Sequence, residues 1–471
     1  MQKSVNKYNL FLHSALTEEN PFIETNDVIK WLNKRNSSIN VKIERINFSD
    51  MKLWQFDNKT SNLKHNTGNF FSIDGIHVYT NYGSINQWEQ PIINQPEIGF
   101  LGFITKTFND ILYFLVQAKI EPGNVNKIQI SPTLQATKSN YTCAHKGKSP
   151  AYLEFFKNQN RCEILLDQLQ SEQGARFFKK RNRNIIIKTN EDIEISENFI
   201  WLTLGQIKKL INFNNLINMD TRTVISGIPF GDINEKTIVN ISSLKNAFSR
   251  DMLFSALNTN KALHSFDDII AWFTQMKTKY DLNIRKIKLS DVSNWVVEEN
   301  QIRHLDNKYF KVIAANIEID NREVSSWMQP LIQPAQEGLI AFIIKKINGI
   351  YHFAVQAKVE CGNFDIIEMA PTVQCLTGNY KETKFGSLPF LDYIINAKSN
   401  QIIIDTMQSE EGGRFYKEQN RNLIIKADDN IELVLPTNYC WMTLHQLLTF
   451  LKFNNYLNIQ TRSLISALSF I

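Results

Sequence analysis

Cysteine is scarce. The chain has 471 residues and five cysteines, an odd number with no CxxC pair. This argues against a disulfide framework or a thiolate metal site, and fits a reducing compartment. Long apolar runs are missing too: none approaches the roughly 18 residues of a membrane helix. The opening stretch, MQKSVNKYNLFLHSALTEENPF, lacks the apolar core of a signal peptide. The expectation is a soluble, cytoplasmic protein that does not enter a membrane. Charge of one sign is also in short supply. The 52 Lys and Arg against 47 Asp and Glu leave +5, too little for a nucleic-acid surface but compatible with an anionic small ligand held by a few converging cations. Eight scattered histidines show no metal-pair spacing, and GxSxG, GxxxxGK[ST], HExxH and GxGxxG do not occur. Metal-dependent hydrolysis and dinucleotide redox chemistry therefore lose their usual signatures.

What the chain does contain is a copy of itself. VQAKIEPGNVNKIQISPTLQATKSNYT, from Val116 to Thr142, returns as VQAKVECGNFDIIEMAPTVQCLTGNY from Val355 to Tyr380. Lys119 and Lys358 are 239 residues apart, as are Tyr141 and Tyr380. Trp54 pairs with Trp295, and His65 with His304. The WEQP at Trp88 pairs with the WMQP at Trp327, and the stretch from Leu169 with that from Met407. The stretch from Trp201 pairs with that from Trp441. A period near 240 is a whole domain, not a solenoid unit. The predicted division is residues 1–230 and 231–471, at the Gly-, Pro- and charge-rich segment Gly227 to Thr237.

Each copy reads as α+β, a mixed sheet with flanking helices. Thr25 or Asn26 begins a helix through Lys34, and Ser265 begins its counterpart with acids in the first turn. β-Branched and aromatic runs predict strands, with hairpins at Asn109-Asp110 and Asn348-Gly349. A helix is expected from Glu163 to Phe178. Closing helices start at Thr203 and Thr443, each with Gln three residues on as a capping box.

The repeated polar residues are the functional candidates. Arg176, Arg183, Arg414 and Arg421 suit a diphosphate, because their forks match phosphate oxygens. Such arginines equally well pair with surface carboxylates. Trp54, Trp88, Trp295 and Trp327 can stack a base or sugar, although each is also an ordinary core residue. Lys119 follows an apolar strand, so its ammonium needs a partner or a shifted pKa. Glu121, two residues on and on the same face, is the natural partner, as a salt bridge or as a catalytic pair.

In this order and duplicated, VQAKIEPGN, SPTLQATKSNYT, W-x-QP, LQSEQG and KRNRN resemble the NDP-hexose 2,3-dehydratases of deoxysugar biosynthesis. The resemblance covers nearly the whole chain. It implies two tandem Nudix-like domains, a homodimer, and a substrate such as dTDP-4-keto-6-deoxyglucose that loses water across carbons 2 and 3. It also implies two nucleotide-sugar pockets, one a non-catalytic remnant. A working Nudix helix reads REUxEExGU (U aliphatic) and binds magnesium through its glutamates. Here DQLQSEQGA, Asp167 to Ala175, keeps only Glu172 of that set, and DTMQSEEGG from Asp405 is similarly depleted. No catalytic metal and no other cofactor is therefore expected. The dehydration needs a base, an acid and donors for an enolate. Glu121 or Tyr141 is expected as base or acid, with Lys119 and Asn140 on the enolate. Gln135, Thr137, Lys138, Ser139 and Asn140 join the arginines and tryptophans as substrate contacts. Arg322, Glu323, Lys358, Glu360, Asn379 and Tyr380 do so from the second copy. The copies differ: SNYT is complete only in the first, and Arg322-Glu323-Val324 stands where the first has Gly83-Ser84-Ile85. Either one pocket has decayed or one pocket draws on both copies. The alternatives are a Nudix-type diphosphatase and a nucleotide-sugar binding protein without chemistry.

Overall fold

The computed structural model describes residues 6–142, 148–158, 161–320, 322–377, 388–428 and 431–471. Each copy builds one seven-stranded mixed sheet. In the first, the hairpin Gly99–Phe108 and Ile111–Ile120 forms the centre. Asn109 and Asp110 both take positive φ at its two-residue turn, 48° and 65°, and Asn348 and Gly349 repeat this in the second copy. Arg181–Lys188 runs parallel to Gly99–Phe108, and the other pairings of that sheet are antiparallel. The second copy repeats the order with Gly338–Ile347, Ile350–Lys358 and Gln419–Lys426.

The smaller sheets, five strands each, are shared between the copies. Val41–Ile46 of the first copy pairs with Phe310–Ile319 of the second, from Val41 opposite Ile319 to Ile46 opposite Ala314. Reciprocally, Leu282–Ile287 pairs with Ser72–Thr80. Two copies that are separate in sequence thus exchange a strand each. Helices Met219–Ser226 and Ile459–Ser466 lie against one another where the copies meet. Two fully buried arginines tie them together. Arg222 donates to Ser463 Oγ (2.5 Å) and to the Ser409 carbonyl; Arg462 donates to Thr223 Oγ1 (2.8 Å) and to the Ser171 carbonyl. Buried charge needs such bonds to offset its desolvation.

The predicted capping boxes form at Thr203 with Gln206 and at Thr443 with Gln446, and Ser265 caps Phe266–Lys279. Helix Thr25–Ser37 begins as predicted, although no side chain caps it. The helix expected from Glu163 to Phe178 is instead the strand Glu163–Ser171 followed by a turn. Its residues have helix-forming character, but pairing with Arg181–Lys188, where Asp167 faces Ile185 and Leu169 faces Arg183, overrides local preference. The stretch compared with a Nudix helix is accordingly a strand end and turn. Among the described residues no helix is long and apolar enough to cross a membrane.

Candidate active site

A cavity of about 610 Å³ opens between the copies. The two-residue strand period builds its floor. Gly99 and Leu101 face the cavity, while Phe100 faces the opposite layer and meets Tyr141. The strand Ile111–Ile120 is buried almost throughout, so it carries Lys119 to its end with the side chain only 6% exposed. The Lys119 ammonium donates to the Gln135 carbonyl at 3.2 Å. Burial, with Arg322 adding to it, lowers its pKa below the ordinary lysine value, while Glu323, Glu121 and Asp220 work against that shift.

Glu121 follows at the turn. One of its oxygens accepts from Gln135 Nε2 at 2.6 Å; the other is buried without a hydrogen-bond partner. Gln135 is itself oriented by Asn218 Nδ2, 3.0 Å from its Oε1. Glu172, Lys180 and Asn182 continue the floor, and Asn182 donates to Glu172 at 3.0 Å. Burial pulls Lys180 down to about 8, and the neighbouring Glu172 opposes the shift. Thr137 and Asn140 stand at the rim, and Asp220 closes the floor from helix Met219–Ser226.

The second copy supplies the facing wall: Arg322, Glu323, Trp327, Gln329, Glu411 and Arg414. Arg322 reaches across to donate to the Ile120 carbonyl at 2.9 Å, and its Nε sits 3.4 Å from Glu323. Trp327 donates to Gln329, which is pinned in turn to the Gly413 carbonyl at 2.6 Å. At the far end Trp54, His65, Phe70, Phe71 and Phe177 make an aromatic lobe. The Trp54 indole donates to the Met328 carbonyl (2.8 Å), and the Arg414 guanidinium lies 4.2 Å over Phe71. The chamber therefore has an aromatic end and an ionic end, with cations from both copies.

Of the residues expected at the site, Lys119, Glu121, Trp54, Gln135, Thr137, Asn140, Arg322, Glu323, Trp327 and Arg414 line this one cavity. Others go elsewhere. Tyr141 does not line it: the short helix Lys138–Tyr141 turns its ring onto Phe100 at 5.2 Å, with Lys157 above it. Ser139 gives its N–H and hydroxyl to Glu97, and Lys138 is exposed. Arg183 and Arg421 are held bidentately by Asp167 and Asp405 on the adjacent strands, away from the chamber. Trp88 donates its indole N–H to Gln90 Oε1, and Trp295 donates to the Glu89 carbonyl. Arg176, Lys358 and Glu360 assemble at the symmetry-related position, where Gln374 donates to Glu360 at 2.8 Å and both cations act on Glu360. Asn379 and Tyr380 lie outside the described residues.

The related positions are not equivalent in charge. Lys180, Asp220, Arg322 and Glu411 correspond by sequence to Glu418, Gln460, Gly83 and Gln173. Sequence reasoning missed Glu172, Lys180, Asp220 and Glu411. Matching the copies hides the last three, whereas looking for where they differ in charge would have found them.

Known proteins resemble this chain over both copies. The family model for NDP-hexose 2,3-dehydratases matches residues 25–228 and again 266–468. A dTDP-4-dehydro-6-deoxy-alpha-D-glucopyranose 2,3-dehydratase of Saccharopolyspora spinosa is 42% identical over 98% of this chain and 95% of its own. Proteins of the same name from Amycolatopsis orientalis and Streptomyces violaceoruber are 39% and 37% identical, over 97% and 93% of this chain and 92% and 95% of theirs. Two matches of the family model, one per copy, together with full-length relatives at this identity, establish that the chain belongs to the NDP-hexose 2,3-dehydratase family.

Proposed function

We propose that the chain removes water across carbons 2 and 3 of dTDP-4-keto-6-deoxyglucose, giving a 3,4-diketo-2,6-dideoxy sugar nucleotide. The observation that carries this reading is a desolvated lysine and a carboxylate, Lys119 and Glu121, at the ionic end of a chamber whose other end is aromatic. Thymine stacks in the lobe of Trp54 and Phe71, and Arg322, Arg414 and Lys180 hold the diphosphate. The sugar then lies over Glu121. The carbon-4 ketone acidifies the carbon-3 proton, which Glu121 removes; Lys119 and Asn140 stabilise the enolate oxygen. The electron pair returns to rebuild the ketone and expels the carbon-2 hydroxyl, and the resulting enol becomes the 3-ketone. This sequence consumes no redox equivalent.

The reading also includes a homodimer, a cytoplasmic setting and the division at 230/231. Nudix-like descent of each copy finds its support in the mixed sheets with packed helices, not in Asp167 to Ala175. The test is mass spectrometry of dTDP-4-keto-6-deoxyglucose incubated with pure protein and EDTA. Loss of one water, or its breakdown with release of dTDP, supports a metal-independent dehydratase. Magnesium-dependent release of a nucleoside monophosphate would favour the diphosphatase instead. Binding with unchanged substrate would favour a binding protein.

A further inference from the structure

Expulsion of the carbon-2 hydroxyl requires an acid, and Glu121 is already engaged as the base. Four more carboxyls line the cavity, Glu172, Asp220, Glu323 and Glu411, and Glu323 is ion-paired with Arg322. Asp220 is 2% exposed and has an oxygen with no hydrogen-bond partner, as has Glu172. Glu411 comes from the second copy. Its carboxylate accepts the Gly413 N–H at 2.9 Å, and it stands beside Glu121. A Cβ placed on Gly413 would strike Glu411 Oε1 and would lie 3.4 Å from Glu121 Oε1. Like charges gathered in one cavity, Asp220 and Glu172 buried and Glu411 half-buried, do not all ionise, so the group retains a proton. The symmetry-related positions carry the second sign. Glu121 and Glu172 are matched by glutamates, Glu360 and Glu410. Asp220 and Glu411 are matched by the amides Gln460 and Gln173. An amide keeps the shape and hydrogen bonding of a carboxyl but has no acidic proton to give. The two sides thus differ in what an acid catalyst needs.

We propose that Glu411, reaching into the first copy's site from the second, is the acid that protonates the departing carbon-2 hydroxyl. The inference rests on the dehydratase reading. Glu121 takes the carbon-3 proton as that C–H bond breaks, and the pair forms the enolate. As the carbon-4 ketone re-forms, a C2=C3 bond forms and the C2–O bond breaks. The Glu411 proton leaves with the hydroxyl as water. When the enol becomes the 3-ketone, the enol O–H proton returns to Glu411 and the proton on Glu121 passes to carbon 2. Both carboxyls are then restored and nothing else is consumed.

The test is Glu411→Gln, compared with wild type in D2O. Two readouts are followed: water loss, and deuterium entry at carbon 3 of recovered substrate. A cooperative thermal unfolding transition and dTDP binding by calorimetry establish that the variant is folded. We expect water loss to fall by about 10²-fold or more, while deuterium exchange continues because the base is intact. A substrate with fluoride in place of the carbon-2 hydroxyl needs little protonation on departure, and should return the variant to within about tenfold of wild type. Water loss within about threefold of wild type overturns the assignment. So does loss of exchange together with elimination, or failure of the fluoro substrate to rescue. An inactive wild type would instead overturn the dehydratase reading itself. If Glu411→Gln fails to fold, Glu411→Asp replaces it: a shortened acid that still exchanges carbon 3, eliminates slowly and is rescued by fluoride supports the role, and one that is not rescued overturns it.

Discussion

Arg322→Met separates a site built by both copies from a site belonging to the first alone. Arg322 belongs to the second copy, yet it donates to the Ile120 carbonyl of the first at 2.9 Å and flanks Glu323 at 3.4 Å. Removing it deletes one cation from the cavity and takes a donor from the carbonyl of the buried Ile120. Arg322 is mostly buried and its bond goes to a buried carbonyl, so the stability cost should be about 1–3 kcal/mol. A charge-assisted bond to a diphosphate oxygen or an enolate is worth about 1.5–3 kcal/mol, which predicts a fall in kcat/KM of about 10- to 150-fold. The assay is steady-state formation of the diketo product, with thermal unfolding alongside. A second readout is internal to the site. Arg322 helps hold the Lys119 pKa below its ordinary value, so its removal should raise that pKa and slow chemical modification of Lys119. A variant with kcat/KM within about threefold of wild type would refute the shared-site reasoning.

Arg183→Met should leave turnover unchanged, because Asp167 holds that guanidinium bidentately outside the cavity; a loss of activity at full dTDP affinity would contradict this. Tyr141→Phe should likewise retain turnover, checked in the same assay, because its ring rests on Phe100. Gly123→Ala should cost about 1–3 kcal/mol by overpacking, since its Cβ would meet the Phe415 carbonyl and disturb the bond from Gly123 N–H to the Gly412 carbonyl at 2.7 Å; chemical denaturation reads this directly. Glu411 is pushed up to about 8 by burial first and then by Glu121, with Arg414 opposing and Glu172 reinforcing, from 4.5. The native state therefore binds a proton that the unfolded chain releases between these values, and stability falls as pH rises from about 4.5 to about 8. Glu411→Gln should flatten that slope in pH-dependent thermal unfolding, and the alkaline limb of wild-type turnover should fall near 8.

The duplication and its α+β class were legible because a repeat needs only spacing, and Lys119, Glu121 and Trp327 stood out by recurring. The exchange of strands was not. Val41–Ile46 and Leu282–Ile287 carry the same half-buried alternation, which says that one face is covered but not by which copy's sheet. Two homologous sheets accept either strand with the same pattern. The helix expected over Glu163 to Phe178 failed because strand pairing overrode local preference. Asp220 and Glu411 sit in stretches that look like inherited repeats, and their significance emerges only once the fold brings them to Glu121. Tyr141 is the opposite case. It belongs to a distinctive motif, but the strand period sends its neighbour Phe100 to the far face of the sheet and Tyr141 goes with it.

The most direct test of the account compares one matched pair, Glu121→Gln and Glu360→Gln, for single-turnover water loss from dTDP-4-keto-6-deoxyglucose. Both carboxyls are buried and both accept from a glutamine, at 2.6 Å and 2.8 Å, so the substitutions perturb packing alike. Loss of turnover and of carbon-3 exchange in Glu121→Gln, with turnover kept in Glu360→Gln, is the predicted result. The reverse pattern, or equal loss in both, would contradict a catalytic centre at the cavity of Lys119, Glu121 and Arg322.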